Sequence, residues 1–173
     1  MTLPNALTAA RALLVIPVIG LIALGEASLA LLVFLTAAAT DGLDGPLARR
    51  RGTTALGAAL DPLADKILVV GTLAALALRG TAPVWPVVLI FARELVALEI
   101  RARTPHALGA SADGKAKTVL QVAAVALLLA AAAWPAAGLG GTANALLVAA
   151  TALTVLSGVR LVLRAKQTTA DPA

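Results

Sequence analysis

Six long apolar runs joined by short polar segments constrain this chain more than any other feature. They fall at roughly residues 8–24, 28–48, 58–79, 83–100, 116–134 and 142–163, each close to the ~20 apolar residues that cross a bilayer as a helix. In lipid the backbone N–H and C=O groups must bond within the protein, so such runs predict helices. Hydrophobic residues make up 60% of the 173 and charged residues 13%, too little polar surface to cover a water-soluble domain. The reading is an all-α polytopic membrane protein with six transmembrane helices, a single integral membrane domain over residues 1–173 with a polar, disordered tail at about 167–173. Residues 1–27 read as a retained first span: Arg11 sits beside the apolar run, and the segment before it lacks the basic charge of a signal peptide. Pro4 and Asn5 mark a helix start with Asn5 or Thr8 as cap, and Pro17 kinks the first span.

Charge at the ends of the runs sets the orientation. Arg11, Arg49, Arg50, Arg51, Arg101, Arg103, Lys115, Lys117, Arg160, Arg164 and Lys166 fall at one set of ends, and Arg79 and Glu26 at the other. The positive-inside rule then puts both termini in the cytoplasm. Trp85 and Trp134, each beside a proline, lie at the opposite ends, where indoles favour the interface. The net charge of +5 belongs to topology and to anionic headgroups, and nucleic acid is not expected as a partner. Gly57, Gly71 and Gly158 read as small residues that let helices approach closely.

The acids are concentrated. Of nine acidic residues, Asp41, Asp44, Asp61 and Asp65 lie within residues 41–66. An unpaired charge within a bilayer costs ~2.5–3.5 kcal/mol on the insertion scale, so these carboxylates require a compensating ligand. At ~100° per residue, Asp41 and Asp44 lie ~60° apart and Asp61 and Asp65 ~40° apart, so each pair shares a helix face. Two such helices side by side would gather hard oxygen ligands suited to Mg²⁺ or Mn²⁺ and a polyphosphate substrate. The chain has no cysteine, and its single histidine, His106, reads as a solvated loop residue. Beside the acids, Gly45, Ala48 and Gly57 leave room for a base or sugar against the backbone, and Arg49 offers a fork of donors to phosphate. Two metal ions in such a place would neutralise a pyrophosphate during in-line displacement, and one carboxylate must remain to take a proton.

The pattern Asp41-x2-Asp44-Gly45-x2-Ala48-Arg49, followed by Gly57-x3-Asp61-x3-Asp65, resembles the signature of the CDP-alcohol phosphotransferase family, integral membrane enzymes of phospholipid synthesis. The resemblance implies a six-helix fold, two Mg²⁺ or Mn²⁺ ions, a homodimer, and transfer from a CDP-linked donor with release of CMP. Carried over by position, Asp41, Asp44, Asp61 and Asp65 would bind metal, and Asp65 would also be the catalytic general base. Asp41, Gly45, Ala48, Arg49, Gly57 and Asp61 would line the CDP site. Two features depart from the family pattern. Seven residues separate Arg49 from Gly57, one fewer than the commonest spacing, and Pro46 stands where an aromatic residue is frequent.

LPNALTAAR near the start, DPLADK, FARE at residues 91–94 and DGKAKT at residues 113–118 resemble the phosphatidylglycerophosphate synthase branch. That branch implies a CDP-diacylglycerol–glycerol-3-phosphate 3-phosphatidyltransferase of the bacterial inner membrane, with its active site facing the cytoplasm. Arg93, Lys115 and Lys117 would then bind the acceptor phosphate. Each also has a plainer reading, Arg93 as an interfacial ion pair with Glu94 and the lysines as topology signals, while Lys66 reads as a snorkelling or ion-pairing residue. Cardiolipin synthases, which use phosphatidylglycerol as acceptor, share much of the pattern. A cation or proton transporter using the acids as an ion path, or a catalytically silent scaffold, are the alternatives of a different class.

Overall fold

The computed structural model describes the backbone of residues 3–48, 55–103 and 112–170, and the side chains of residues 13–40, 66–100 and 117–167. The apolar runs become α1 (Leu3–Leu24), α2 (Ala27–Ala48), α3 (Ala55–Leu78), α4 (Val84–Arg103), α5 (Ala112–Ala133) and α6 (Gly140–Ala170), with a single 3₁₀ turn at Pro135–Ala137. Among the described residues there is no strand.

Two of these boundaries differ from the sequence reading. α1 already starts at Leu3, which places Asn5 and Thr8 inside the helix rather than at its cap. Pro4 is tolerated there because first-turn N–H groups have no intrahelical acceptor. The tail expected to be disordered is helical as far as Ala170. No glycine or proline interrupts α6 between Gly158 and Pro172, and a proline disfavours helix at the residue before it. α2 runs through Pro46 to Ala48, the end expected from the apolar run at 28–48.

Glycine shapes the turns at one end of the bundle. Gly25, at φ +84°, and Gly80, at φ +73°, lie just beyond α1 and α3 in the left-handed conformation. Around Gly25 the Gly25 N–H reaches Ile22 O at 3.1 Å and the Glu26 N–H reaches Leu21 O at 2.8 Å. Gly80 to Ala77 O and Thr81 to Leu76 O repeat the arrangement at 3.0 and 2.9 Å. This paired capping satisfies terminal carbonyls that would otherwise be orphaned. At the same end Arg79 Nη1 donates to Ala23 O at 3.3 Å, tying the end of α3 to the end of α1.

The opposite end gathers the start of α5 with the later turns of α4 and α6. Lys117 of α5 bonds Glu94 of α4, and Arg93 of α4 bonds Ser157 of α6. The helices therefore run up and down, and α1 starts and α6 ends at this second end. The residues in the α2–α3 and α4–α5 joints, 49–54 and 104–111, lie outside the described set.

Two of the three glycines singled out for helix approach sit at crossings. A Cβ at Gly71 of α3 would lie 2.7 Å from Val15 Cγ2 of α1, and one at Gly158 of α6 would lie 2.8 Å from Arg93 Cγ of α4. Both are shorter than van der Waals contact allows, so bare glycine is what lets these helices meet. The surroundings of Gly57 lie outside the described residues.

Apolar side chains both fill and cover the bundle. Phe34, Leu68, Leu73, Leu76, Ile90, Leu128 and Leu147 are buried together, while Ile16 is 64% exposed, Leu32 62% and Leu78 89%. The inside holds Thr72, Glu94, Lys117, Gln121, Thr151, Thr154 and Ser157. Apolar side chains thus lie both inside and outside, and the buried charges Glu94 and Lys117 stand out against them.

Candidate active site

The signature residues lie on helix ends that adjoin. Asp41, Asp44, Gly45 and Ala48 occupy the last turns of α2, and Gly57, Asp61 and Asp65 the first turns of α3. α2 packs against α5 and touches α3. The side chains of these seven residues, and Arg49, Lys115 and His106, lie outside the described residues. Among the described residues no group of three or more His, Cys, Asp or Glu comes together, a set that excludes the four aspartates. Their donor chemistry, four carboxylates on two helix ends, fits hard divalent cations rather than zinc or copper.

The described part of the site begins at the next residue. Lys66, adjacent to Asp65, brings Nζ to 3.5 Å from Thr118 Oγ1 of α5. The end of the signature on α3 thus abuts the second turn of α5, where the buried charges start. Lys117, grouped above with the charges at the ends of the runs, is only 3% exposed inside the bundle. Its Nζ donates to Glu94 Oε1, the oxygen that also accepts from Arg93 Nη1 at 3.1 Å. Two cations from α4 and α5 therefore converge on one oxygen, with the Glu94 side chain 7% and the Arg93 side chain 8% exposed. The plainer reading of Arg93 as paired with Glu94 thus holds as geometry, but the pair is buried rather than interfacial.

Around these charges lies a polar layer that the sequence reading passed over. Arg93 Nη2 donates to Ser157 Oγ at 3.0 Å. One turn deeper on α5, Gln121 Nε2 donates to Thr154 Oγ1 at 2.8 Å, and Thr154 Oγ1 donates to Ala150 O at 2.6 Å. Among the described residues Arg93 Nε and Gln121 Oε1 are buried without a partner. The available signal was the spacing Thr151, Thr154, Ser157 on α6, which puts three small polar residues on one stripe of an otherwise apolar helix.

Comparison with known proteins accords with the signature. The family model for CDP-alcohol phosphatidyltransferase matches residues 1–157. The chain belongs to this family. Among curated relatives, a probable phosphatidylglycerophosphate synthase of Mycobacterium tuberculosis is 40% identical over 136 residues, covering 77% of this chain and 64% of that protein. A CDP-diacylglycerol–glycerol-3-phosphate 3-phosphatidyltransferase of Bacillus subtilis is 40% identical over 102 residues, 57% of this chain and 53% of that protein. A CMP-forming cardiolipin synthase of Streptomyces coelicolor is 41% identical over 70 residues, 40% of this chain and 33% of that protein. The matches thus span about half to two thirds of the length of the first two relatives. As a member of the CDP-alcohol phosphatidyltransferase family, the chain has the helical architecture and the acid-rich segment on which the signature rests.

Proposed function

We propose that this protein transfers the phosphatidyl group of CDP-diacylglycerol to glycerol 3-phosphate, releasing CMP and phosphatidylglycerophosphate. The observation that carries the proposal is the placement of the family signature, on the ends of α2 and α3, beside the buried cations of α4 and α5. A diphosphate-binding half adjoins a cationic half, as a reaction between a nucleotide-linked lipid and an anionic acceptor requires.

In this reading Asp41, Asp44, Asp61 and Asp65 hold two Mg²⁺ or Mn²⁺ ions, which supply neutralising charge to the diphosphate when bound. Asp41, Gly45, Ala48, Arg49, Gly57 and Asp61 form the CDP cradle, the small residues admitting the nucleotide and Arg49 donating to phosphate. Arg93, Lys115 and Lys117 attract the acceptor phosphate. Asp65 takes the proton of the acceptor hydroxyl as its oxygen attacks the phosphatidyl phosphorus. The new P–O bond forms as the bond from that phosphorus to the CMP oxygen breaks, and CMP leaves with that electron pair.

Six membrane spans, with the termini and site at the cytoplasmic face of a bacterial inner membrane, belong to the same proposal. Among the described residues Gly140–Gln167 is the one stretch long and apolar enough to cross; Leu13–Leu24, Ala27–Thr40, Lys66–Leu78 and Lys117–Ala133 are apolar but shorter, and the further spans rest on the six apolar runs of the sequence. Exposed apolar side chains on the described helices, such as Ile16, Leu32, Leu78 and Leu163, support lipid contact. A homodimer is part of the reading, and cross-linking in native membranes tests it.

The decisive experiment is an acceptor screen on the purified protein with CDP-diacylglycerol and Mg²⁺, following CMP release. Glycerol 3-phosphate is expected to be the preferred acceptor. Preference for phosphatidylglycerol would transfer the assignment to cardiolipin synthesis, the activity named for the Streptomyces coelicolor relative. No CMP release with any acceptor, together with ion flux in proteoliposomes, would favour transport instead.

A further inference from the structure

The guanidinium of Arg93 is held by α6 in a way that the acceptor reading does not require. Its stem lies directly over Gly158, where a Cβ would stand 2.8 Å from Cγ, 3.6 Å from Nε and 3.8 Å from Cδ. One residue earlier on α6, Ser157 Oγ accepts from Nη2 at 3.0 Å, while Glu94 Oε1 accepts from Nη1 at 3.1 Å. A guanidinium has five N–H donors. Two are engaged, and the buried Nε has no partner among the described residues. A buried charged donor left unsatisfied is costly, and an oxyanion is the ligand whose geometry matches a guanidinium fork.

We propose that Ser157 and Gly158 are positioning residues that hold Arg93 across α6 and thereby set the affinity of the site for a phosphate-bearing acceptor. Gly158 provides the bare surface on which the stem lies, and Ser157 fixes the rotation of the guanidinium plane. The inference rests on the acceptor role proposed for Arg93. It adds that this role depends on two α6 residues that bear no charge and lie outside the signature.

The test is calorimetric titration of the full-length protein in detergent with glycerol 3-phosphate and, separately, with inorganic phosphate. Ser157→Ala and Gly158→Ala are expected to weaken both anions about five- to twenty-fold, the loss of one charge-assisted hydrogen bond or of its alignment. Ser157→Thr keeps the hydroxyl and is expected to stay within about twofold of the parent. In the CMP-release assay the Ser157→Ala variant should raise the KM for glycerol 3-phosphate and leave the KM for CDP-diacylglycerol unchanged, a split that general loosening of the bundle would not produce. Unchanged anion affinity in Ser157→Ala overturns the proposal, as does equal weakening in Ser157→Thr or failure of the parent protein to bind either anion. If Gly158→Ala does not fold, the two serine variants decide. Anion binding without CMP release would sink the transfer reaction and leave the cradle standing.

Discussion

Neutralising Glu94 tests the polar centre of the bundle most directly. Its Oε1 is shared by Lys117 Nζ and Arg93 Nη1, and all three side chains are less than a tenth exposed. Glu94→Gln keeps the shape and leaves a carbonyl oxygen for one donor, but it removes the only carboxylate that either cation reaches among the described residues. Breaking a buried pair by removing one partner costs ~3–5 kcal/mol. The retained carbonyl places the amide variant near ~3 kcal/mol, about a hundredfold in the unfolding equilibrium. A neutral interhelical hydrogen bond in a bilayer is worth only ~0.6 kcal/mol on average and at most ~1.7, so the two explanations separate. Reversible unfolding in mixed detergent and SDS micelles measures the loss. A second variant, Lys117→Gln, completes a double-mutant cycle, in which the paired substitution should recover ~1–3 kcal/mol relative to the sum of the single losses. Additivity within ~0.5 kcal/mol, or a loss below ~1 kcal/mol for Glu94→Gln, would refute the view that these charges neutralise one another inside the bundle.

The remaining predictions concern packing, catalysis and the deeper polar pair. Gly71→Ala should destabilise by ~1–3 kcal/mol because its Cβ would overlap Val15 Cγ2. Gly20→Ala, with nothing within 4 Å of its Cβ, should be neutral or stabilising by up to ~1 kcal/mol, and equal effects on SDS unfolding would contradict the α1–α3 crossing. Asp65→Asn should lower the rate of CMP release by ~10²–10⁴-fold, and a drop of less than tenfold would exclude Asp65 as the base. Chelation should abolish CMP release and Mg²⁺ should restore it; activity that survives exhaustive chelation would remove the metal from the mechanism. Gln121→Leu should change stability by less than ~1 kcal/mol: it removes one neutral bond, from Nε2 to Thr154 Oγ1, while Thr154 keeps its bond to Ala150 O and an Oε1 with no partner among the described residues is removed with it.

The helices were legible because the chain carries six long apolar runs, and each coincides with a helix. Their ends were less so. Pro4 and Asn5 mark the helix start to within two residues, but neither Asn5 nor Thr8 stands before the helix as a cap, and the polar residues 167–170 continue α6 because composition alone does not stop a helix. In the site, spacing placed the aspartates on two helix ends, and the backbone agrees at each position. The partnership of Lys117 with Glu94 was not legible, since the two are 23 residues apart on different helices. Which cation in a basic segment turns inward depends on packing. Ser157 went unnoticed for a related reason: one hydroxyl in an apolar helix bonds its own backbone as readily as a neighbour, as Thr151 does with Leu147 O at 2.7 Å.

The arrangement of polar groups suggests why the charges are buried at all. An anionic acceptor site open to water would be screened by solvent and salt, whereas cations within a bundle act through a lower dielectric. Burial alone would disfavour keeping two such cations charged, and Glu94 offsets this by bonding both from one oxygen. Of these three groups the net charge remains positive by one. In the proposed reading that excess is the part available to an incoming phosphate, with Ser157 and Gly158 fixing its direction. Glu94 then differs from the aspartates of α2 and α3 in kind. On the proposed function, removing one of those would weaken metal or nucleotide binding, while removing Glu94 would leave the acceptor site more positive but without the contact that aligns it. Tighter yet less productive binding of glycerol 3-phosphate by Glu94→Gln, a lower KM with a lower kcat, is therefore the signature expected of an aligning carboxylate. A rise in KM with kcat unchanged would mean that Glu94 contributes only to ground-state binding, and the alignment argument would fail.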